Sequence, residues 1–328
     1  YRMFSIACQI AINFGYENLH HIEYDCELLD TNLIDENSEH LKEYDSVICT
    51  DTGDESGWLY GAFKSFKVSS LPDKFKNYDG LTVTKTNFLQ NLRSAAVWGY
   101  ADMVSQLGKP VDKTRWGMST PTVNAYYSPV LNEIVFPAGI LQFPFFDVNA
   151  DDAVNYGGIG AVIGHEISHG FDDSGSQYDK DGNLKNWWTA EDLAKFKEKS
   201  KALQAQFDAY TVLDTIHVNG KLTMGENIGD LGGLNAAYEA YKMTAEWKAG
   251  KVVDGFTPDQ RFFLAWAQVW RTTILPETAA QLILTDSHSP GEYRTIGAPV
   301  NMDAWYKAFN IQPGDKLYKK PEDRIKIW

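Results

Sequence analysis

The chain has 328 residues, of which 44% are hydrophobic, 23% charged and 13% aromatic, a globular composition that excludes a disordered, collagen-like or coiled-coil protein. Acidic residues outnumber basic ones by 44 to 30, so a net charge of −14 repels phosphates and argues against nucleic acid as a partner. The three cysteines, Cys8, Cys26 and Cys49, fall in the first fifth of the chain, so no disulfide framework holds the rest.

No uncharged apolar run reaches the ~18–20 residues of a membrane span. In chain order, Met3, Ile6, Ala7, Ile10, Ala11 and Phe14 recur at helical spacing and predict a buried helix. Residues 1–70 form a first segment of uncertain character that ends in the glycine-rich stretch Gly53, Gly57 and Gly61, and a boundary is expected near Leu71-Pro72. Residues 71–328 then form one larger unit. A helix is expected over Lys85–Gln106, followed by proline-punctuated extended chain from Pro121 to Phe146, with Leu131, Ile134 and Val135 as strand material. The next helix is expected from Ala153 to His169, capped by Asp151 or Asp152, with Gly170 as a left-handed terminator. Asp181-Gly182-Asn183 predicts a hairpin turn. Asp179-Lys180-Asp181-Gly182-Asn183 resembles the first half of a calcium loop, but Ala190 stands at loop position 12, where the bidentate glutamate belongs. Helices over Glu191–Tyr210, Gly225–Trp247 and Pro258–Ile274 complete a helix-rich α+β chain.

His165-Glu166-Ile167-Ser168-His169 places two imidazoles four residues apart, one above the other on a helix face, where both can bind one ion. Neutral imidazole suits Zn²⁺ at ~2.0–2.1 Å, and Glu166, turned ~100° from His165, can reach a water on the ion without ligating it, as a general base does. A catalytic zinc takes three protein ligands and keeps a position open. Glu226, in Gly225-Glu226-Asn227, is the candidate third ligand, and Asp230 follows one helical turn later, placed to accept the free N–H of a ligating histidine. The alternative is that Glu226 and Asp230 only complement a helix dipole.

These motifs sit in a longer series. Val123-Asn124-Ala125-Tyr126-Tyr127, Ile134-Val135-Phe136-Pro137-Ala138-Gly139, Asn155-Tyr156-Gly157-Gly158, Gly170-Phe171-Asp172-Asp173, Asn186-Trp187-Trp188, Ala267-Gln268-Val269-Trp270 and Thr285-Asp286-Ser287-His288-Ser289-Pro290-Gly291 follow one another in order. With them the chain resembles, from about residue 75 to its end, the neprilysin and endothelin-converting-enzyme family of zinc metallopeptidases, in particular its bacterial PepO-type members. The resemblance implies a thermolysin-like zincin catalytic domain with a mainly helical C-terminal part, binding one Zn²⁺ per chain through His165, His169 and Glu226. It implies Glu166 as the base and Asp230 as partner of a ligating histidine. His288, oriented by Asp286, would donate to the oxyanion. Asn124, the backbone at Ala125 and Arg294 would hold the substrate main chain. Ile140, Phe145, Val162, Val269 and Trp270 would line a pocket for a hydrophobic residue after the scissile bond.

The implied activity is endopeptidase cleavage of oligopeptides. The alternative is a non-catalytic peptide-binding lobe, or an inactive fragment, because most of the family's N-terminal lid half has no counterpart here; a missing lid would be a partner. The segment His21–Glu27 is similar to the acidic strand end at a nucleotide-sugar site. Arg271 and Lys326 stand where the animal enzymes carry disulfide cysteines, which fits a bacterial origin; a catalytic part without cysteines is compatible with cytoplasm as well as with the favoured periplasm, secretion or envelope anchor.

Overall fold

A computed structural model describes residues 76–327, together with the backbone of two earlier strands, β1 (Asn18–His21) and β2 (Lys64–Ser69). The expected N-terminal helix, the acidic segment His21–Glu27 beyond its first residue and the boundary at Leu71-Pro72 lie outside the described residues.

Strands β3 (Tyr126–Ser128) and β4 (Glu133–Val135) form a hairpin, and the four-stranded order is β1-β2-β4-β3, with β2 parallel to β4 and the other pairs antiparallel. Ile134 and Val135 are buried strand residues as expected, but Leu131 belongs to the turn, which closes through Asn132 at a positive φ of 50°. Asparagine tolerates that conformation better than most residues. Its amide is also fixed by the Tyr127 hydroxyl, which donates to Oδ1 at 3.0 Å.

The helices, in order, are α1 (Phe88–Val104), α2 (Asp152–Asn155), α3 (Ala161–Ser168), α4 (Ala190–Asp208), α5 (Met224–Tyr241), α6 (Ala245–Ala249), α7 (Pro258–Val269), α8 (Pro276–Thr285), α9 (Gly291–Gly297) and α10 (Asp303–Phe309). None of α1's residues is buried, and its Phe88 is 76% exposed. Thr189 caps α4 by accepting from the Asp192 N–H at 3.1 Å, and Glu191 and Asp192 complement the positive end of its dipole. The single helix expected over Gly225–Trp247 stops at Tyr241, because Thr244 starts α6 by accepting from the Trp247 N–H at 3.1 Å. The helix from Pro258 ends at Val269, short of Ile274.

The expected helix Ala153–His169 is divided. α2 passes into a π-helical turn, Tyr156–Gly160, before α3, and a 3-10 turn, His169–Phe171, follows. The Ile159 N–H donates to the Phe145 carbonyl at 2.8 Å, which anchors the glycine-rich turn to the preceding loop. Two end signals are corrected. Asp151 occupies the N-cap without a side-chain cap bond; instead Glu246 of α6 accepts from the Asp152 and Ala153 N–H groups at 2.8 and 3.0 Å. Gly170 does not turn left-handed. Asp172 ends the 3-10 turn, accepting at Oδ1 from the N–H groups of Ser174 and Gly175 at 2.8 and 2.7 Å.

The centre of the fold is the crossing of α3 and α5. A Cβ on Gly233 would lie 2.3 Å from the His165 backbone nitrogen and 2.6 Å from the Ala161 carbonyl oxygen, and one on Gly229 would lie 2.8 Å from the His165 ring. Without side chains there the two backbones approach closely enough for residues of α5 to touch those of α3. Ile167, Ile228, Leu234, Tyr241, Phe262 and Trp266 pack this crossing into the main core. Among the described residues no helix is long and apolar enough to cross a membrane.

Candidate metal centre

His165 and Glu166 lie in α3, and His169 opens the 3-10 turn that continues it, so the two imidazoles project to one side with ring centroids 4.5 Å apart. Glu226, in the first turn of α5, faces them across the glycine seam. Its Oε2 lies 3.1 Å from His165 Nε2 and its Oε1 3.7 Å from His169 Nε2. Ligand atoms from the three residues all fall within 4.8 Å of one another, the one such group of three or more among the described residues.

Each imidazole is held from behind by a carboxylate. His165 Nδ1 lies 2.9 Å from Asp230 Oδ1, and His169 Nδ1 lies 2.7 Å from Asp172 Oδ2. A carboxylate only accepts, so each Nδ1 carries a proton and each Nε2 is turned toward the shared space. Asp230 also accepts from Arg294 Nε at 2.8 Å and Nη2 at 2.6 Å, and the guanidinium lies 3.8 Å from the centroid of the Trp270 ring. Burial opposes ionisation of Asp230, yet Arg294 and His165 together hold its carboxyl below the ordinary range.

The site is electrostatically strained toward a cation. Burial opposes charging His165, but the carboxylates of Asp230 and Glu226 outweigh that and hold its pKa at about 10. Burial likewise opposes ionisation of Glu226, and the neighbouring His165, with His169 and His288, holds it well below the usual carboxylate range. Glu166 behaves oppositely: burial pushes its carboxyl up, with the two imidazoles only partly compensating. That is the direction a general base needs. Glu226 Oε2 is buried and accepts no well-directed hydrogen bond, although it is surrounded by nitrogen atoms. An orphaned anionic oxygen facing two oriented imidazole nitrogens, which become lone-pair donors once deprotonated, is an N₂O donor set that fits zinc.

His288, 44% exposed, lies in the loop between α8 and α9. Its Nε2 is 3.3 Å from Glu226 Oε2, while Asp286 Oδ1 holds both its Nδ1, at 2.7 Å, and its backbone N–H, at 2.9 Å. Thus His165, His169, Glu226, Asp230, His288, Asp286 and Arg294 gather at one place, with Glu166 buried beside them. Asn124 and Ala125 lie on the segment entering β3, a strand that packs on α3, and Asn124 Oδ1 accepts from the Ala125 N–H at 2.9 Å. Ile140, Val162 and Val269 are buried in the core, with Phe145 and Trp270 packed against it half-buried. Asp172 was not among the residues expected here. Its i,i+3 spacing after His169 was the available signal, but a residue just beyond a helix end has no face that periodicity can assign.

A histidine pair on one helix, a buried glutamate between them and a carboxylate from a second helix define a zincin-type metal centre on a helix-rich fold. The profile of Peptidase family M13 matches residues 124–325. The chain is 41% identical over 260 residues to Neprilysin-3 of Drosophila melanogaster, covering 77% of this chain and 32% of that protein. It is 40% identical over 258 residues to human Endothelin-converting enzyme 1, covering 77% and 33%. Among solved structures it superimposes on the zinc metalloprotease Zmp1 of Mycobacterium tuberculosis in complex with inhibitor, with a TM-score of 0.77, 40% identity and coverage of 99% of this chain and 46% of that one. PepO of Lactobacillus rhamnosis gives 0.72, 38%, 80% and 41%. The chain belongs to peptidase family M13. It spans about a third of the length of the relatives it matches.

Proposed function

We propose that this chain carries the zinc site of an endopeptidase that hydrolyses oligopeptides with a hydrophobic residue after the scissile bond. The observation that carries the reading is the orphaned Glu226 oxygen set against two imidazoles, each oriented by its own carboxylate. Zinc held by His165, His169 and Glu226 supplies Lewis-acid polarisation of a carbonyl and acidifies water from a pKa of ~15.7 to about 7.

Glu166, kept basic by burial, accepts the proton of the attacking water and returns it to the leaving amine nitrogen. As imidazolium, the form in which both ring nitrogens carry protons, His288 donates from Nε2 to the oxygen that becomes negative, while Asp286 accepts from Nδ1 and holds the ring in place. Asp230 occupies Nε and Nη2 of Arg294, which leaves Nη1 for a substrate carbonyl. Asn124 and the Ala125 backbone align the peptide main chain. Ile140, Phe145, Val162, Val269 and Trp270, which belong to one apolar cluster, form the wall that selects a hydrophobic side chain. The exposed apolar side chains of α1 offer a lid a surface to pack on.

Turnover of a quenched fluorescent peptide, abolished by a chelator and restored by zinc, separates this reading from a non-catalytic peptide-binding lobe. Glu166→Gln is expected to retain zinc and lose hydrolysis. Full hydrolysis by that variant refutes the mechanism.

A further inference from the structure

His288, the proposed hydrogen-bond donor to the oxyanion, sits in an exposed loop, whereas the candidate ligand it must face, Glu226, is fixed in α5. Loop residues 286–290 span only the gap between α8 and α9, so something outside the loop has to set its distance from Glu226. The next residue of each partner does this. Ser289, 3% exposed, donates from Oγ to Oδ1 of Asn227, 2% exposed, at 2.8 Å. The Asn227 amide in turn donates from Nδ2 to Thr223 Oγ1 at 2.9 Å, and Thr223 donates to the Asn219 carbonyl at 3.1 Å. On α5 a step of one residue turns the side chain by ~100°. Glu226 therefore points at the histidines while Asn227 points into the protein.

We propose that Asn227 and Ser289 are positioning residues: their buried hydrogen bond fixes the His288 imidazole against the metal ligand Glu226. The bond joins two side chains that touch neither substrate nor metal. It couples the loop to α5 at the residues adjacent to the two groups whose separation matters. Asp286 sets the rotation of the imidazole from within the loop, and Ser289 sets where the loop stands. A buried bond is suited to this, since removal of Ser289 Oγ leaves Asn227 Oδ1 unpaired where water does not reach it. Displacement of a donor by an ångström costs ~100-fold in rate, far more than the loss of one surface contact.

What His288 does in catalysis rests on the peptidase reading above, but the tether does not, and two measurements keep them apart. Ser289→Ala is expected to lower kcat by ~10–100-fold, with KM and zinc affinity each within about threefold of wild type. Ser289→Thr, which keeps the oxygen, should recover most of the loss. In a His288→Ala background, Ser289→Ala should add less than about twofold, because the group it positions is already gone. Thr189→Ala, a cap removed from a distant helix, controls for destabilisation and should leave the kcat to KM balance unchanged. Independently of activity, long-range proton–nitrogen NMR of the zinc-loaded protein should show the His288 ring signals shifted or broadened in Ser289→Ala while those of His165 and His169 stay in place. An equal loss in both backgrounds, or unmoved His288 signals, overturns the proposal. If wild type hydrolyses no peptide, the hydrolase reading fails alone and the NMR result still decides whether the tether exists.

Discussion

The two carboxylates behind the histidines differ in a way that separates metal affinity from stability. Asp172→Asn removes the anionic acceptor of His169 Nδ1–H, 2.7 Å away, and Asp230→Asn removes that of His165, 2.9 Å away. Loss of such a partner lowers metal affinity ~10–100-fold, about 1.4–2.7 kcal/mol, so both variants should bind zinc more weakly by that factor. With zinc in excess, the stabilisation it gives to the fold shrinks by the same amount. Only Asp230 also neutralises a buried arginine, through bonds of 2.8 and 2.6 Å to Arg294. Breaking a buried pair from one side costs ~3–5 kcal/mol, because the remaining charge stays uncompensated. Chelator competition measures the affinities, and urea unfolding with zinc removed measures the intrinsic stability. Asp172→Asn is expected to change the first far more than the second, and Asp230→Asn to change both. Equal metal-free stability of the two variants, or zinc affinities within twofold of wild type, would refute the assignment.

Three further outcomes follow from the same geometry. Gly233→Ala places a methyl 2.3 Å from the His165 nitrogen, so α3 and α5 must separate; overpacking costs ~1–3 kcal/mol, and zinc affinity should fall with thermal stability, both readable by scanning calorimetry with and without metal. Glu166 has a folded pKa raised above 4.5 by burial, so the folded state binds more protons than the unfolded one between 4.5 and that raised value. Its contribution is therefore absent below pH 4.5 and destabilising above its folded pKa, and metal-free Glu166→Gln should be more stable than wild type at pH 7 and equal to it near pH 4; urea titrations showing no pH dependence of the difference would contradict this. His165 is held to about 10 in the metal-free site, so zinc must displace its proton at pH 8. Calorimetry in buffers of different ionisation enthalpy should then register at least one proton released per zinc, and none released would show that the imidazole starts neutral.

The candidate metal ligands were legible because helical periodicity is a local rule. A step of four residues from His165 to His169 puts both rings on one face whatever the rest of the chain does, and the Glu226–Asp230 step repeats the rule on α5. Four residues could not say that the two helices meet; that depends on Gly229 and Gly233 together, whose close approach exists only in the folded pair. The π turn at Tyr156–Gly160 was not legible, since the Ile159 N–H there goes to the Phe145 carbonyl, outside the helix. Glu246 as the cap of α2 was hidden for the same reason, being 94 residues from the N–H it satisfies. Asp172 and Ser289 act from outside regular helix, where no period exists to read.

The charge balance explains why the centre needs so many distant contributors. Glu226, Asp230, Asp172 and Glu166 are carboxyl groups at a largely buried locus, and Arg294 is the fixed cation that pairs with one of them. Four anions with one compensating cation cannot persist where water is excluded. In the metal-free protein the deficit is met by protons: His165 and His169 hold theirs more tightly than free imidazole, and Glu166 is pushed toward its neutral form. A divalent cation would offset two of those charges at once and free the histidine nitrogens to ligate it, so its binding and the release of their protons are coupled.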